Sequence, residues 1–208
     1  MDFDWLLTAT MTETLFLRVE LFGAGFLSGS IPYGLLIARF LGKGDVRLQG
    51  SGNIGATNVA RIAGKKAAAA TFLADALKGY IPCVLATYFA AHEAIFFCAM
   101  GAILGHVFSP FLKFKGGKGV ATMIGGFLAL FPLIACIGIA GWIGTFLACR
   151  VSSLAAFGSL LALMIGGVTW GSPGEATFIF MVTLFIFGCH HENFKRILSG
   201  DEKAFSKK

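Results

Sequence analysis

Charged residues are scarce in this chain, and their scarcity decides the class of protein. Asp, Glu, Lys and Arg make up 13% of the 208 residues, whereas hydrophobic residues make up 56%. A soluble protein carries about 25% charged residues, so a soluble globular domain is excluded. Apolar runs of roughly 14 to 27 residues follow one another with short polar breaks, and one crossing needs about 20 helical residues. The sequence therefore predicts an all-α integral membrane protein.

The chain also lacks the patterns of a metal centre, a disulfide framework or a nucleic-acid-binding face. Its five cysteines are odd in number and widely spaced, with no CxxC or Cys/His pattern, so we expect small buried apolar residues. His190 and His191 adjoin Glu192 without a third spaced ligand, and no metal site is predicted. The net charge of +6 has no soluble basic face to carry it. We therefore interpret the basic residues as topology signals and anion ligands.

The apolar runs predict about seven transmembrane helices. With the N-terminus outside, the loop lysines and arginines gather on one side and only Arg18 is left on the other, which satisfies the positive-inside rule and makes the C-terminus cytoplasmic. One kinked helix over residues 118–149, instead of two crossings meeting at Phe131 and Pro132, would place Arg150 outside. The whole chain, 1–208, is predicted to form one polytopic domain. The predicted spans are 15–41, 66–91, 94–112, 118–131, 132–149, 152–170 and 175–190.

Residues 41–66, between the first two spans, are too polar to cross the membrane. The sequence GSGN at 50–53 predicts a glycine turn with Asn53 as the N-cap of a short helix that runs from Ile54 to Gly64. Eleven residues cannot span the bilayer. We expect a re-entrant or interfacial helix on the cytoplasmic side, where protein or water satisfies its backbone.

A second glycine-rich turn, FKGGKG at residues 114–119, precedes the short apolar helix of residues 118–131. Both turns lead into a helix start, where free N–H groups and the positive end of the helix dipole attract anions. Glycines let the backbone approach a phosphate closely. We therefore predict that Gly116, Gly117 and Gly119 form an anion-binding lip, with full charges from Lys118 and Arg61.

The lysines of this loop are expected to differ in role. Lys118 lies between glycines at a helix start and is predicted to be a ligand, whereas Lys113 is interpreted as a membrane anchor. A nucleotide P-loop is disfavoured, because GxxxxGK[ST] would need Gly and Ser or Thr where the chain has Leu112 and Gly119.

Three ionisable residues fall inside apolar runs. Asp75 and Lys78 are three residues apart on one helical face, and we predict a structural ion pair that faces the bundle interior. His106 lies near the cytoplasmic end of its span and is a candidate proton carrier or hydrogen-bond donor. The soluble glycerolipid acyltransferase pattern would need Asp where Phe111 stands, so His106 has no carboxylate partner in its own segment.

Five motifs together resemble the bacterial acyl-phosphate:glycerol-3-phosphate acyltransferases of the PlsY type. They keep the order of that family over almost the whole chain, and Ile54 stands where many members have proline. The motifs are SIPYG (30–34), GSGNIGATNVAR (50–61), DALKG (75–79), GHVFSPFLKFKGGKGVAT (105–122) and HHENFKRILSGDE (190–202).

The resemblance implies an enzyme of the bacterial inner membrane that transfers a fatty acyl group from acyl phosphate to the 1-hydroxyl of glycerol 3-phosphate. It implies a cytoplasm-facing site without metal or cofactor. Ser51, Arg61 and Lys118 look like phosphate ligands, with Ser153 a weaker match. His106 and Asn193 look like the groups that order the reacting hydroxyl and carbonyl. The supporting residues are Asn53, Thr57, Asn58, Asp75, Lys78 and His190.

The expected partners are the two substrates and membrane lipid, with the enzyme that makes acyl phosphate as a candidate protein partner of a monomeric chain. The alternative function is transport of a phosphorylated small molecule, since half-helices also point their N-termini at anions in transporters. Transporter sites lie near the bilayer midplane, whereas the basic motifs here cluster at one face. A scaffold for lipid-synthesis partners would explain the spans but not the glycine-lysine loops.

Overall fold

The computed structural model describes the backbone of residues 3–205 and the side chains of residues 13–205. All regular secondary structure in that part of the chain is helical. Two 3-10 turns, Val46–Leu48 and Pro110–Leu112, lie in the polar loops. The α-helices are α1 Phe3–Ser30, α2 Tyr33–Phe40, α3 Ala56–Ala86, α4 His92–Val107, α5 Val120–Leu130, α6 Pro132–Cys149, α7 Ser152–Trp170, α8 Pro173–Gly188 and α9 His191–Leu198.

Five stretches of the described chain are long and apolar enough to cross a membrane: Glu13–Phe40, Ala56–Ala86, His92–Leu112, Pro132–Cys149 and Ser152–Trp170. Helices α8 and α9 form a sixth if they count as one span, bent by 60°. Helix α5 has 11 residues and reaches only about 16 Å at 1.5 Å per residue. The protein is thus an all-helical, multi-pass membrane protein.

Backbone breaks within two long helical stretches bear on the first predicted span and on the short helix after it. Span 15–41 is interrupted where Pro32, which lacks a backbone N–H, separates α1 from α2. The stretch α3 is made of two helical parts that meet at Gly64, whose backbone is not helical (φ 86°, ψ 175°). The predicted end of the short helix at Gly64 is thus confirmed, although that helix begins at Ala56 and not at Ile54. The prediction of Asn53 as N-cap is wrong: Gly55 is the N-cap, and Asn53 Oδ1 instead accepts a hydrogen bond from the Gly55 N–H (2.8 Å).

Helix α4, which carries His106, is held against α1 by glycines on both helices. Gly25 and Gly29 on α1 lie against the backbone of Cys98 and Ala102, and Gly101 and Gly105 on α4 lie against that of Phe22 and Phe26. A Cβ at any of the four would overlap a carbonyl oxygen of the other helix. This small-residue packing is the usual means of bringing membrane helices together.

Helix α5 packs against α3 by the same device and separates from α6 at Phe131 and Pro132. Gly79 of α3 lies against the Thr122 carbonyl, and Gly125 of α5 lies against Ala76. Residues 118–149 therefore form two helices, with α5 packed mainly on α3 and α6 packed mainly on α7. This arrangement sets the start of α5 beside Asp75 of α3 and leaves a space between α3, α5, α6 and α7.

Candidate active site

That space is a cavity of about 930 Å³, within the usual range for ligand pockets of about 300–1,000 Å³. One end is polar and cationic, and the other is lined by apolar side chains of α3, α5 and α6, including Phe72, Ile124, Trp142 and Phe146. The predicted site residues that line the cavity are Ser51, Asn53, Thr57, Asn58, Arg61, Asp75, His106, Lys118, Gly119, Ser153, His190 and Asn193.

The GSGN loop is organised around the buried side chain of Asn58, in the first turn of α3. Asn58 Oδ1 accepts a hydrogen bond from the Ser51 N–H (2.8 Å). Its Nδ2 donates to the carbonyl oxygens of Val46 (2.9 Å), Gln49 (3.1 Å) and Asn53 (2.9 Å). The side-chain amide of Asn58 thus makes four hydrogen bonds to the loop backbone. These bonds hold Ser51 at the edge of the cavity.

The same turn of α3 is tied to α7. Thr57 Oγ1 lies 2.7 Å from Ser152 Oγ, and the neighbouring Ser153 lines the cavity. Ser153 comes from the start of α7, 95 residues beyond Asn58 in the chain, so the contact between α3 and α7 brings two distant segments to one polar end.

Gly116 and Gly117, two members of the predicted anion-binding lip, use their N–H groups inside the FKGGKG loop. The Gly116 N–H donates to the Val107 carbonyl oxygen (2.9 Å), and the Gly117 N–H donates to that of His106 (3.0 Å). Neither glycine lines the cavity. Their N–H groups are used inside the loop, and their lack of a side chain makes room for His106, because a Cβ at Gly117 would overlap His106 Nε2.

The rest of the loop does face the cavity. Gly119 adopts a left-handed conformation (φ 84°) as the N-cap of α5, a conformation that glycine tolerates without strain. Val120 and Ala121, in the first turn of α5, also line the cavity. The positive end of this helix is therefore directed to the polar end of the cavity.

Lys118 is the best-placed cation of the loop. Its Nζ donates a hydrogen bond to Asn193 Oδ1 of α9. Burial, reinforced by the nearby positive charges of Arg196 and Arg61, lowers the pKa of Lys118 to about 8, although Glu202 partly offsets them. Lys118 therefore lies among other cations in a partly desolvated position, which suits a site for anions.

Asp75, Lys78 and His106 meet behind the loop. Lys78 Nζ lies 2.7 Å from Asp75 Oδ1, with side chains 1% and 2% exposed, and it donates to the Ile31 carbonyl oxygen (2.8 Å). The predicted ion pair is thus confirmed. His106 Nδ1 lies 3.6 Å from Asp75 Oδ1, so a different helix supplies the carboxylate that the segment of His106 lacks.

Glu202 is a central polar residue of the cavity that sequence reasoning missed. Its carboxylate accepts hydrogen bonds from Ser153 Oγ (2.7 Å), Asn193 Nδ2 (2.6 Å) and Arg196 Nε (2.6 Å). Burial opposes its charge, but these three hydrogen bonds outweigh burial and keep the pKa of Glu202 below its ordinary value. Glu202 is the last residue of the motif HHENFKRILSGDE, and its place in that motif was the sequence feature that could have identified it as a site residue.

The remaining predicted residues, His190 and Arg61, differ in exposure: His190 is buried and Arg61 is exposed. His190, between α8 and α9, donates from Nδ1 to the Ile186 carbonyl oxygen (2.8 Å), which leaves Nε2 as its other polar atom. Arg61 is exposed and donates from Nη2 to the Lys203 carbonyl oxygen (3.2 Å). Among the described residues, no three His, Cys, Asp or Glu side chains are placed to hold a metal ion.

Chemically, the cavity joins a cationic end to an apolar channel. Arg61, Lys118 and Arg196 can bind phosphate oxygens, and the apolar walls can accept a hydrocarbon chain. His106 and Asn193 lie in the same cavity as these cations. The geometry fits a reaction between a phosphorylated polar molecule and a lipid-like one.

A family model for glycerol-3-phosphate acyltransferase matches residues 19–200. Among relatives, the glycerol-3-phosphate acyltransferase of Rhodopseudomonas palustris (strain BisB5) is 45% identical over 184 residues, covering 88% of this chain and 94% of that protein. The glycerol-3-phosphate acyltransferase of Brucella suis (strain ATCC 23445 / NCTC 10510) is 43% identical over 201 residues, covering 95% of this chain and all of that protein.

The fold is also similar to solved structures. One is the crystal structure of PlsY (YgiH), an integral membrane glycerol 3-phosphate acyltransferase, in its glycerol 3-phosphate form, with a TM-score of 0.84 and 36% identity over 93% of this chain and 96% of that one. The lysophosphatidic acid form of the same protein gives a TM-score of 0.82 and 35% identity over the same shares of the two chains.

Proposed function

The chain belongs to the glycerol-3-phosphate acyltransferase family, and from that premise we propose that it transfers a fatty acyl group from acyl phosphate to the 1-hydroxyl of glycerol 3-phosphate. The products are lysophosphatidate and inorganic phosphate, and the reaction is the first acylation of phospholipid synthesis. The observation that carries the proposal is the single cavity in which a cationic end meets an apolar channel.

The cationic end binds the phosphate groups of both substrates. Lys118 and Arg61 supply full charges, and Ser51 and Ser153 supply polar contacts at the same end. Arg196 adds a third cation, held in place by Glu202. Two phosphate-bearing substrates favour a site with more than one cation, because hydrogen bonds from charged donors to phosphate are roughly twice as strong as neutral ones.

The acyl donor is already activated, so the site needs orientation and charge neutralisation rather than a nucleophilic side chain. The 1-hydroxyl oxygen bonds to the carbonyl carbon of acyl phosphate, the bond from that carbon to the phosphate oxygen breaks, and the hydroxyl proton goes to a phosphate oxygen. His106 polarises the reacting groups. Asn193 orders the substrates through Lys118, since Oδ1 of Asn193 is bonded to Lys118 and Nδ2 to Glu202.

For the topology we propose seven crossings in one polytopic domain, with the N-terminus outside and the C-terminus in the cytoplasm. The crossings are the five long spans, the short helix α5 and helix α8. In this order every segment that lines the polar end, from Ser51 to Phe205, falls at a cytoplasmic helix end. The active site then lies at the cytoplasmic face of a bacterial inner membrane, where glycerol 3-phosphate is available.

The direct test is an assay of the purified protein with labelled glycerol 3-phosphate and one donor at a time: acyl phosphate, acyl-coenzyme A or acyl carrier protein. We expect labelled lysophosphatidate with acyl phosphate. Product with acyl-coenzyme A alone would contradict the donor assignment. No product with any donor, together with uptake of glycerol 3-phosphate into proteoliposomes, would favour a transporter instead.

A further inference from the structure

The last described residues of the chain cross the polar end of the cavity and connect two of its walls. Asp201, Glu202, Lys203 and Phe205 all line the cavity. We call residues 201–205 the strap. It leaves α9 through hydrogen bonds from the N–H groups of Asp201 (2.8 Å) and Glu202 (3.1 Å) to the Arg196 carbonyl oxygen. The Glu202 carboxylate then joins α7 and α9, as described above.

At its far end the strap is anchored to α6. The Phe205 N–H donates to the carbonyl oxygen of Arg150 (2.9 Å), the C-cap residue that follows α6. The Phe205 ring packs edge-to-face on Phe146, with centroids 5.7 Å apart. Phe146 itself stacks on Trp142 (4.9 Å) and belongs to the apolar channel.

From the opposite side, α3 holds the strap through Arg61. The Arg61 guanidinium lies 5.3 Å from the centre of the Phe205 ring, within range of a cation–π interaction. It also donates to the Lys203 carbonyl oxygen (3.2 Å). Phe205 therefore lies between a cation of the phosphate-binding end and an aromatic pair of the apolar channel, where the two parts of the cavity meet.

This position matters because acyl phosphate can react with water as well as with a hydroxyl group. In that side reaction the water oxygen bonds to the carbonyl carbon and the bond to the phosphate oxygen breaks. Fatty acid and phosphate are formed, and a water proton goes to the phosphate. Cations that activate the carbonyl for glycerol 3-phosphate activate it equally for water, so the junction must be closed to solvent.

We infer that the strap, through Phe205, closes this junction and so determines how acyl phosphate divides between transfer to glycerol 3-phosphate and hydrolysis. The inference rests on the proposed function. It makes Phe205 a residue that controls the choice between two acceptors, and it gives Arg61 a second partner besides a substrate phosphate.

The test compares Phe205→Ala with the wild-type protein and with a variant that lacks residues 203–208 but keeps Glu202. Phe205→Tyr, which retains the ring, is the rescue variant. Phe111→Ala removes a ring that is 67% exposed and outside the cavity lining, and it serves as the matched control. Each variant receives acyl-labelled acyl phosphate and saturating glycerol 3-phosphate, and the ratio of free fatty acid to lysophosphatidate is measured.

We expect the ratio to rise about threefold or more in Phe205→Ala and in the truncated variant, because an open junction admits water. Phe205→Tyr and Phe111→Ala should keep the wild-type ratio. If Phe205→Ala does not fold, as judged by thermal unfolding in detergent, the truncated variant and Phe205→Leu decide the question.

An unchanged ratio in the folded variants would overturn the inference. So would a parallel loss of transfer and hydrolysis, since it would mean that the strap only binds substrate. Failure of the wild-type protein to form lysophosphatidate from acyl phosphate would refute the proposed function, a result distinct from both.

Discussion

The charge of Lys118 gives a sharp test of the phosphate-binding end. Burial and the neighbouring arginines lower its pKa from 10.5 to about 8. A lysine is charged below its pKa and neutral above it, so in the free enzyme Lys118 loses its charge as the pH rises through 8. At pH 9 only about a tenth of the molecules would carry the charge, and each further pH unit reduces that fraction about tenfold.

We therefore expect kcat/KM for glycerol 3-phosphate to fall about tenfold per pH unit above pH 8, because this parameter reports the ionisation of the free enzyme. The substrate does not cause the fall, since a phosphate group with a second pKa of about 6 is already a dianion there. Lys118→Arg should have a lower maximum but no fall up to pH 10, because guanidinium does not titrate in this range.

Lys118→Ala measures the whole contribution of the charge. A hydrogen bond to a charged group is worth about 1.5–3 kcal/mol, which corresponds to a loss of about 10- to 150-fold in kcat/KM. The control is Lys113→Ala, an exposed residue of the same loop, which should change kcat/KM less than about twofold.

The assay is initial-rate formation of lysophosphatidate between pH 6 and 10, corrected for the spontaneous hydrolysis of acyl phosphate. A wild-type profile that stays flat to pH 10 would refute the reasoning, as would a Lys118→Arg profile with the same fall as the wild type. Equal, small effects of Lys118→Ala and Lys113→Ala would assign both lysines to membrane anchoring.

Three further substitutions test the parts that support the site. Gly117→Ala should lower kcat about tenfold or more, because a Cβ there displaces His106. The control, Gly144→Ala, has nothing within 4 Å of the added Cβ and should match the wild type. Equal kcat values for the two variants would contradict a role of Gly117 in placing His106. Asn58→Ala should lower the free energy of unfolding, measured in detergent, by about 2–4 kcal/mol, because four hydrogen bonds are lost. An unchanged free energy of unfolding would show that the loop does not depend on the Asn58 side chain. Asp75→Asn should lower the free energy of unfolding by about 3–5 kcal/mol, because it leaves the buried ammonium group of Lys78 unpaired. The double variant Asp75→Asn/Lys78→Met should recover part of that loss. A double variant no more stable than Asp75→Asn would contradict a buried ion pair.

The helix ends that agree with prediction are those set by strong local signals. Residues 132–149 and 152–170 were predicted with the boundaries of α6 and α7, because Pro132 can begin a helix but not continue one and because Arg150 interrupts the apolar pattern. Asn53 was assigned to the wrong position because a helix start was inferred from one favourable cap residue. Its backbone carbonyl and side chain are needed to hold the loop.

Many polar residues of the cavity could be predicted from their motifs, but Glu202 and Phe205 were missed, and the pairing of the residues could not be predicted. Gly116 and Gly117 fit an anion-binding loop by composition, and no sequence pattern predicts that their N–H groups donate to the carbonyl oxygens of Val107 and His106. Asp75 and His106 are 31 residues apart in the chain, and no periodic pattern relates them. Phe205 gave no signal because one aromatic residue after the last helix has no partner within its own segment.

The arrangement also explains how a membrane protein can keep several cations together beside lipid. Unpaired charges in a partly desolvated site are costly, and here Glu202 is hydrogen-bonded to Arg196 while the Lys203 carbonyl and the Phe205 ring engage Arg61. The described hydrogen-bond partner of Lys118 is the neutral amide oxygen of Asn193. Of these three cations, Lys118 is therefore the one whose charge is least compensated. In the proposed reaction an incoming phosphate therefore gains most at Lys118, while the partners of Arg61 and Arg196 hold those two side chains in position. The strap supplies these partners. The same short segment after α9 therefore closes the cavity and holds the side chains of Arg61 and Arg196 in place.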